Sequence, residues 1–263
     1  MVSKIMENKV KIVLITQDDP FYLAKNIDYL ISILPSNSVI TGCVVTSVSP
    51  FGKKESFLKK AFKTFKIFGL SFFLRYSIRY IFAIGSKENK VGAVLKKYYI
   101  PRLELTSSIN SAESLERIKS CYPDLLISIG GNEIFKRPLI ELAEHGCLNL
   151  HTAPLPKYRG LMPSFWVLKN QEKYTAVSVF YVDEGIDSGP ILVQEKIELK
   201  GESQEQLITQ TKKLGMDCIV KAISKIQAND ISTMPNDDNQ MSYYSFPTKG
   251  DVREFRRVGA RFF

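Results

Sequence analysis

The sequence has few of the residues that build metal and disulfide sites. Two histidines and four cysteines occur in 263 residues, and the cysteines form no C-x-x-C pair. Scattered cysteines argue against a disulfide framework or a zinc site, and they are typical of a reducing compartment. We therefore expect a cytoplasmic protein that binds no metal.

Long apolar runs and nucleotide-binding glycine motifs are missing as well. No apolar run approaches the ~20 residues that a membrane-spanning helix needs, and the first ten residues contain no apolar core of a signal peptide. The first predicted strand is followed by T-Q-D-D-P-F-Y, which has no glycine, and G-x-x-x-x-G-K-[ST] does not occur. These absences argue against a dinucleotide-binding turn and against a P-loop.

The charge is unbalanced, although the composition is ordinary. Apolar residues make up 44% and charged residues 24% of the chain, as in soluble globular proteins. The net charge of +9 favours an anionic partner such as a nucleotide, a nucleic acid or a membrane surface. A surplus of solvated lysines explains the same net charge equally well, so the charge alone does not identify the partner.

Apolar runs alternate with helical patterns along most of the chain. Short runs rich in β-branched residues predict buried strands at 10–16, 39–45, 124–129, 146–151, 175–182 and 191–197. Longer amphipathic patterns predict helices at 22–34 and 203–227, the second with Ser203 as its N-cap. This order predicts an α/β fold with an open, mostly parallel twisted sheet flanked by helices.

Residues 52–83 differ in composition from the rest of the chain. They contain eight Lys or Arg and one Glu interleaved with aromatic residues, which predicts two helices meeting near Gly69. One interpretation is a basic amphipathic pair that makes peripheral contact with an anionic membrane surface or binds a nucleotide. The other is a helical insertion whose aromatic stripe packs on the sheet or on a second subunit while its lysines stay solvated. The basic aromatic tail, 243–263, poses the same choice between ligand binding and packing over the core.

The stretch N-L-H-T-A-P-L-P-K-Y-R-G, residues 149–160, carries the clearest chemical signal. Side chains alternate along a strand, so Asn149 and His151 share one face at its carboxyl end. An amide donor beside an imidazole is suited to stabilising a developing oxyanion, and a carboxylate would orient the ring. Asp187 is the preferred carboxylate, with Asp183 and Glu184 as competitors. A strand-end pair with a purely structural role remains the alternative.

A longer pattern around this stretch resembles the folate-dependent formyltransferase family. The family motif is N-x-H, then L-P-x-x-R-G, then P-x-x-W, and later a D-x-G-x-I turn. The matching residues are Asn149, His151, Leu155, Pro156, Arg159, Gly160, Pro163, Trp166, Asp187, Gly189 and Ile191. The resemblance covers residues 124–197 and implies a Rossmann-like formyltransferase fold.

The resemblance also implies a catalytic trio of Asn149, His151 and Asp187 and the formyl donor 10-formyltetrahydrofolate. The pterin of that donor would lie against backbone groups of two loops. The matching positions are Glu133 and Phe135 in the first loop and Asp183, Glu184 and Gly185 in the second. The double glycine Gly130–Gly131 departs from the commoner pattern and makes the first match looser.

The acceptor follows by elimination within the family. Glycinamide ribonucleotide enzymes have a glycine-rich loop after the first strand, and methionyl-tRNA enzymes carry a C-terminal β-barrel domain that the last 60 or so residues do not suggest. A small anionic acceptor, a nucleotide-linked amino sugar, is therefore expected rather than a nucleic acid. The alternatives are a methionyl-tRNA or other amine formyltransferase and a non-enzymatic basic nucleic-acid-binding protein.

The predicted organisation is one catalytic α/β domain at 1–200 with 52–83 as a helical insertion. Residues 201–263 are expected to form a helix and an extension that pack on the same domain. A homodimer through the aromatic insertion is a further expectation.

Overall fold

A computed structural model of the chain describes residues 9–46, 56–131 and 133–263. The strands are β1 (Val10–Gln17), β2 (Ser38–Thr46), β3 (Arg102–Leu103), β4 (Leu125–Ile129), β5 (Cys147–His151), β6 (Arg159–Gly160), β7 (Tyr174–Tyr181), β8 (Ile191–Glu198) and β9 (Tyr243–Tyr244). The α-helices are α1 (Leu23–Ser32), α2 (Phe57–Phe68), α3 (Leu70–Gly85), α4 (Val91–Lys97), α5 (Ala112–Lys119), α6 (Arg137–Ile140), α7 (Pro163–Lys169), α8 (Gln204–Gln227) and α9 (Lys249–Arg257). Lys87–Asn89 and Asp238–Gln240 form short 3₁₀ helices.

The main sheet has seven strands in the order β3-β2-β1-β4-β5-β7-β8. The first five are parallel to one another, whereas β7 is antiparallel to β5 and to β8. The predicted open, mostly parallel sheet is confirmed. The direction reverses at β5, which is the strand that carries Asn149 and His151.

Both faces of the sheet are covered by helices, which explains why its central strands are mostly apolar. All five residues of β4 are buried. One face packs against α1, α4 and α8, and the other against α5 and α6. Burying one large apolar side chain contributes roughly 1.5–3 kcal/mol, so both layers stabilise the sheet.

Helix α8 fixes the position of β5 by close packing. Ser203 caps the helix in a capping box with Gln206, as its place in the sequence predicts. Inside the helix, a Cβ added to Gly215 would lie 2.6 Å from Leu150 Cδ2, so glycine lets the helix approach the strand this closely without displacing that side chain. The strand that ends at His151 therefore rests on a rigid support.

The basic segment forms two helices, α2 and α3, which meet at Gly69 as predicted; residues 52–55 lie outside the described residues. Their inner face enters a third apolar cluster at the carboxyl edge of the sheet. In it Phe68 packs with Phe165 of α7, Phe255 of α9 and Phe262 of the tail. The carbonyl oxygens of Arg261 and Phe262 accept hydrogen bonds from the first N–H groups of α8.

The outer face of the same two helices is apolar and exposed, so the segment is only partly used for packing. Across the described ranges, no helix is both long and apolar enough to cross a bilayer.

Candidate functional site

Strand β5 places Asn149 and His151 on one face of the sheet, and their neighbours on the other. Leu148 and Leu150 point into the cluster beneath α8, whereas Cys147 belongs to the cluster beneath α6. By strand alternation Asn149 and His151 share the side of Cys147. The imidazole is buried and Asn149 is half-buried, so both are shielded from bulk water.

A backbone carbonyl holds the imidazole ring. Nε2 of His151 lies 2.8 Å from the carbonyl oxygen of Tyr158, in the loop after β5. A carbonyl oxygen can only accept a hydrogen bond, so Nε2 carries the proton in the neutral ring. Nδ1 then faces the opposite side, toward the β7–β8 turn.

Asp187 meets the imidazole from that turn. Its Oδ2 lies 3.6 Å from His151 Nδ1 and accepts a 2.8 Å hydrogen bond from the backbone N–H of Gly160. The carboxylate is well shielded, with 13% of its side chain exposed. The structure thus brings His151 and Asp187 together, with the carboxylate fixed by the loop that also holds the ring.

The β7–β8 turn runs back along β5 to reach the histidine. Val182 donates to the carbonyl oxygen of Cys147, at the beginning of β5, yet Asp187 contacts His151 at its end. Asp187 adopts a left-handed backbone conformation with φ of +50°. Gly189 is required there, because an added Cβ would lie 1.8 Å from the carbonyl oxygen of Tyr181.

The competing carboxylates lie elsewhere in the turn. Asp183 accepts hydrogen bonds from the N–H of Gly185 at 3.0 Å and from Ser188 Oγ at 2.6 Å. It therefore stabilises the turn itself. Asp183, Glu184 and Gly185 are all exposed.

A third segment, residues 236–238, clamps the turn and was not anticipated from the sequence. Asn236 Nδ2 donates to the carbonyl oxygens of Asp187, at 2.8 Å, and of Gly189, at 2.9 Å. Buried Arg159 in turn binds Asn236 Oδ1 and forms a 2.7 Å ion pair with Asp238. The M-P-N-D-D sequence gives no signal for this role, because it is indistinguishable from an ordinary turn.

The two predicted folate loops differ in where their residues lie. Asp183–Gly185 line a cleft of about 800 Å³ together with α6 and residues 236–239. Glu133 is engaged elsewhere, since its Oε2 accepts from Ser108 Oγ at 2.7 Å and from the N–H of Ile109 at 3.3 Å. Phe135 is buried beneath α6. Neither is among the described residues that line the cleft.

The cysteines and acidic residues form no competing centre. Among the described residues, no group of three His, Cys, Asp or Glu side chains could hold a metal ion. All four cysteines are free, and burial raises the pKa of the Cys43 thiol to about 12. Such a thiol stays protonated and unreactive at neutral pH.

The chain is similar to a known protein family over residues that include Asn149, His151 and Asp187. The family model described as formyl transferase matches residues 86–223, slightly more than half of the chain, including β5 and the β7–β8 turn. The chain belongs to the formyl transferase family.

Similar members of the family differ in the acceptor that their names state. Methionyl-tRNA formyltransferase of Kosmotoga olearia is 38% identical over 165 residues, which cover 62% of this chain and 52% of that protein. The chain spans about half the length of the curated relatives it matches.

Solved structures show the same fold at low identity. Phosphoribosylglycinamide formyltransferase from Anaplasma phagocytophilum aligns with a TM-score of 0.62 and 14% identity, covering 91% of this chain and all of that one. The N-formyltransferase from Helicobacter canadensis, in complex with folinic acid and dTDP-3-aminofucose, aligns with a TM-score of 0.56 and 15% identity. This alignment covers 95% of the present chain and 80% of the Helicobacter canadensis chain.

Proposed function

We propose that this formyl transferase family member transfers a formyl group from 10-formyltetrahydrofolate to the amine of a nucleotide-linked amino sugar. The observation that carries the proposal is the approach of Asp187 to His151, with Asn149 on the same face of β5. The three come from β5 and from the turn that runs back along it. The reaction class is formyl transfer to an amine.

Asn149 and His151 are assigned to the oxygen of the formyl group. As an amine adds to the formyl carbon, that oxygen becomes negative, and the amide of Asn149 donates a hydrogen bond to it. Within the described residues the Asn149 side chain has no hydrogen-bond partner, so it is free for this role. His151 lies two residues along the same face and adds a positive charge when both ring nitrogens are protonated.

Asp187 is assigned to the transfer of the proton that the attacking amine loses. The attacking amine loses a proton and the leaving nitrogen gains one, so the site needs groups that hold and pass a proton. Nε2 of His151 is committed to the carbonyl oxygen of Tyr158, which leaves Nδ1 for this exchange. Asp187 Oδ2, 3.6 Å away, is the carboxylate that faces a proton at Nδ1.

The cleft lined by Asp183–Gly185 and Ser188, in the turn that carries Asp187, suits a donor of this size. Its volume of about 800 Å³ lies within the range of small-molecule sites, and exposed backbone at Asp183–Gly185 forms one wall. The donor supplies a formyl group on a nitrogen that is a good leaving group. Backbone groups at Asp183, Glu184 and Gly185 would hold its pterin, whereas Glu133 and Phe135 would act only through their main chain.

A nucleotide-linked amino sugar as acceptor is supported by two observations. The chain has a net charge of +9, which suits a diphosphate. The solved relative from Helicobacter canadensis, which holds dTDP-3-aminofucose, aligns over 95% of this chain.

A methionyl-tRNA acceptor is the second candidate. It is favoured by the 38% identity to the Kosmotoga olearia methionyl-tRNA formyltransferase and by the same positive charge.

A single assay distinguishes the acceptors. The protein is incubated with the donor and with either a panel of amino-sugar nucleotides or methionyl-tRNA, and products are analysed by mass for the gain of one formyl group. We expect the gain on an amino-sugar nucleotide. A gain only on methionyl-tRNA would replace that acceptor with the second candidate.

Substitution tests the assigned residues in the same assay. Asn149→Ala and His151→Ala should each lower the rate about 10²–10³-fold, the typical effect of removing one oxyanion donor. His145→Ala is the matched control, because His145 is the other histidine and precedes β5 at the opposite end of the strand. Wild-type rates in both variants would refute the site. RNA binding that weakens steeply with salt, without formyl transfer to any acceptor, would favour a nucleic-acid-binding protein.

A further inference from the structure

The outer face of α3 carries an apolar stripe that packs against no other described element. Its members are Leu70, Leu74, Ile78, Ile81 and Phe82, with between 52% and 76% of each side chain exposed. Their spacing of three and four residues places them on one side of the helix. A shallow groove lined by Leu70, Leu74 and Ile78 follows this stripe.

The opposite face of α3 anchors the helix to the protein. Phe72 stacks on Phe68 at 4.5 Å, and Tyr76 lies 5.3 Å from Phe21 in the loop after β1. Arg79 forms a 2.8 Å ion pair with Glu205 of α8. The helix therefore already packs against the protein through its other side, and the apolar stripe is not needed for that packing.

Helix α2 extends the stripe. Leu58, Phe62 and Phe65 are exposed at the same helical spacing, and the Phe65 ring meets Phe73 of α3 at 5.8 Å. Together these eight exposed side chains of α2 and α3 form what we call the apolar surface. Groups of exposed large apolar side chains on a soluble protein commonly mark a site of contact with a partner.

Cations border the apolar surface and acidic residues are missing from it. Residues 56–86 contain six Lys or Arg and no Asp or Glu. Lys59, Lys63 and Lys66 follow directly after Leu58, Phe62 and Phe65 in the chain, and all three are exposed. None of the three forms an ion pair with a carboxylate among the described residues.

The combination of exposed apolar side chains and bordering lysines favours one kind of binding partner. Pairing two copies through the apolar surface would bring two acid-free cationic segments together, and like charges at close range oppose association. An anionic lipid surface can bind both the apolar side chains and the lysines. The apolar side chains enter the headgroup boundary, while the lysines contact lipid phosphates. We propose that the apolar surface of α2 and α3 docks the protein peripherally on an anionic membrane.

The geometry requires the helices to lie in the plane of the bilayer. α3 has 16 residues, about 24 Å of helix, whereas the hydrocarbon core is about 30 Å thick. Its inner face is committed to Phe68, Phe21 and Glu205. The carboxyl edge of the sheet, where β5 ends, would then face the membrane side of the protein.

Vesicle flotation of the full chain tests the proposal. Binding is measured to vesicles of phosphatidylglycerol mixed with phosphatidylcholine and to vesicles of phosphatidylcholine alone. We expect binding to the anionic vesicles that weakens with salt, and little binding to the neutral ones. Equal binding to both, or binding to neither, would overturn the proposal.

Two sets of variants locate the surface. Replacing Ile81 and Phe82 by Gln should lower the affinity at least about tenfold through lost apolar burial. Replacing Lys59, Lys63 and Lys66 by Gln should lower it roughly fivefold for each lysine.

A charge-matched control accompanies the lysine variant. It carries Gln at Lys119, Lys136 and Lys200, exposed lysines outside α2, α3 and α9, and should bind like the wild type. If control and test variants lose affinity equally, net charge rather than the surface is responsible.

Thermal melting and sedimentation complete the test. The side chains replaced are exposed, so all variants should melt like the wild type. A dimer that dissociates when Ile81 and Phe82 are replaced, without vesicle binding, would assign the apolar surface to a second copy and refute the membrane proposal.

Discussion

His151 is oriented chiefly by main-chain groups. The carbonyl oxygen of Tyr158 fixes Nε2, and the N–H of Gly160 fixes the carboxylate of Asp187 on the other side of the ring. Both groups belong to the loop that begins directly after the histidine. The loop sequence P-K-Y-R-G therefore frames the imidazole through its backbone, while the side chain of Arg159 holds Asn236 and Asp238.

Asn236 is the side chain that holds the turn against this frame. Replacing Asn236 by Ala removes two hydrogen bonds, to the carbonyl oxygen of the left-handed residue Asp187 and to that of Gly189. We expect a loss of about 1–3 kcal/mol in unfolding free energy and a fall in kcat larger than any rise in KM, because Asp187 loses its position. Chemical denaturation and steady-state kinetics measure both.

Gln240→Ala is the control for that substitution. Gln240 follows the same segment but does not line the cleft, and its exposed side chain bonds only to Asp237. It should leave both quantities near wild type. Equal effects of the two variants would show that the segment acts as a whole and that Asn236 has no particular role.

Local patterns could predict the residues of the site but not what holds them. Asn149 and His151 follow from strand alternation, and Asp187 follows from the family motif. The supports at Tyr158 and Gly160 are backbone atoms, which carry no residue-specific signal. Asn236 lies 49 residues from Asp187 in sequence, and no local rule connects them.

At the scale of elements, the two-residue strand β6 links the site to the C-terminal half. Arg159 and Gly160 pair with Tyr243 and Tyr244 of β9. Gly160 has φ of +95°, and a Cβ there would lie 2.3 Å from the carbonyl oxygen of Tyr244. Only glycine can both turn the chain and let β9 approach.

Gly160→Ala should therefore destabilise the fold and impair catalysis together. Left-handed backbone alone costs a non-glycine residue about 1–2 kcal/mol. At Gly160 the clash with β9 adds to this and displaces the N–H that binds Asp187. Unfolding free energy and kcat are the measurements.

Gly201→Ala separates the two contributions. Gly201 has a similar φ of +87° and nothing within 4 Å of an added Cβ, so it should show only the backbone cost and full activity. An equal loss at both positions would mean that the β6–β9 contact contributes nothing.

The long elements were predictable and the short ones were not. Predicted strand ends agree with β1, β2, β4, β5, β7 and β8 within about two residues, because buried apolar runs have clear limits. The two-residue strands β3, β6 and β9 and the four-residue α6 have no periodicity to detect. Of the two interpretations of the basic segment, packing accounts for inner-face aromatic side chains such as Phe68 and Phe72, whereas the apolar stripe of α3 does not pack.

Across the whole molecule, the third apolar cluster joins parts that are distant in sequence. Phe262 contacts Phe255 at 4.5 Å, Phe72 at 4.9 Å and Phe68 at 5.6 Å, and thus connects the tail, α9 and the α2–α3 pair. The same cluster includes Tyr158, whose carbonyl oxygen holds His151.

Phe262→Ala should cost about 3–5 kcal/mol in unfolding free energy, as for other buried aromatic side chains. It should also raise amide hydrogen exchange in α2 and α3 more than in β1 and β4. Phe82→Ala is the control, since 76% of that side chain is exposed and its loss should fall within about 0.5 kcal/mol of wild type. Uniform exchange throughout the chain would contradict a local role for the cluster.

The backward run of the β7–β8 turn also affects how the site assembles during folding. The proposed trio of Asn149, His151 and Asp187 is joined by a chain segment of 38 residues, counted as 187 minus 149. Closing a loop costs free energy that grows only slowly with its length, as about (3/2)RT ln n, and short loops close first. The trio can therefore form with the β5–β7–β8 unit, before the opposite edge of the sheet, where β3 pairs with β2, has been added.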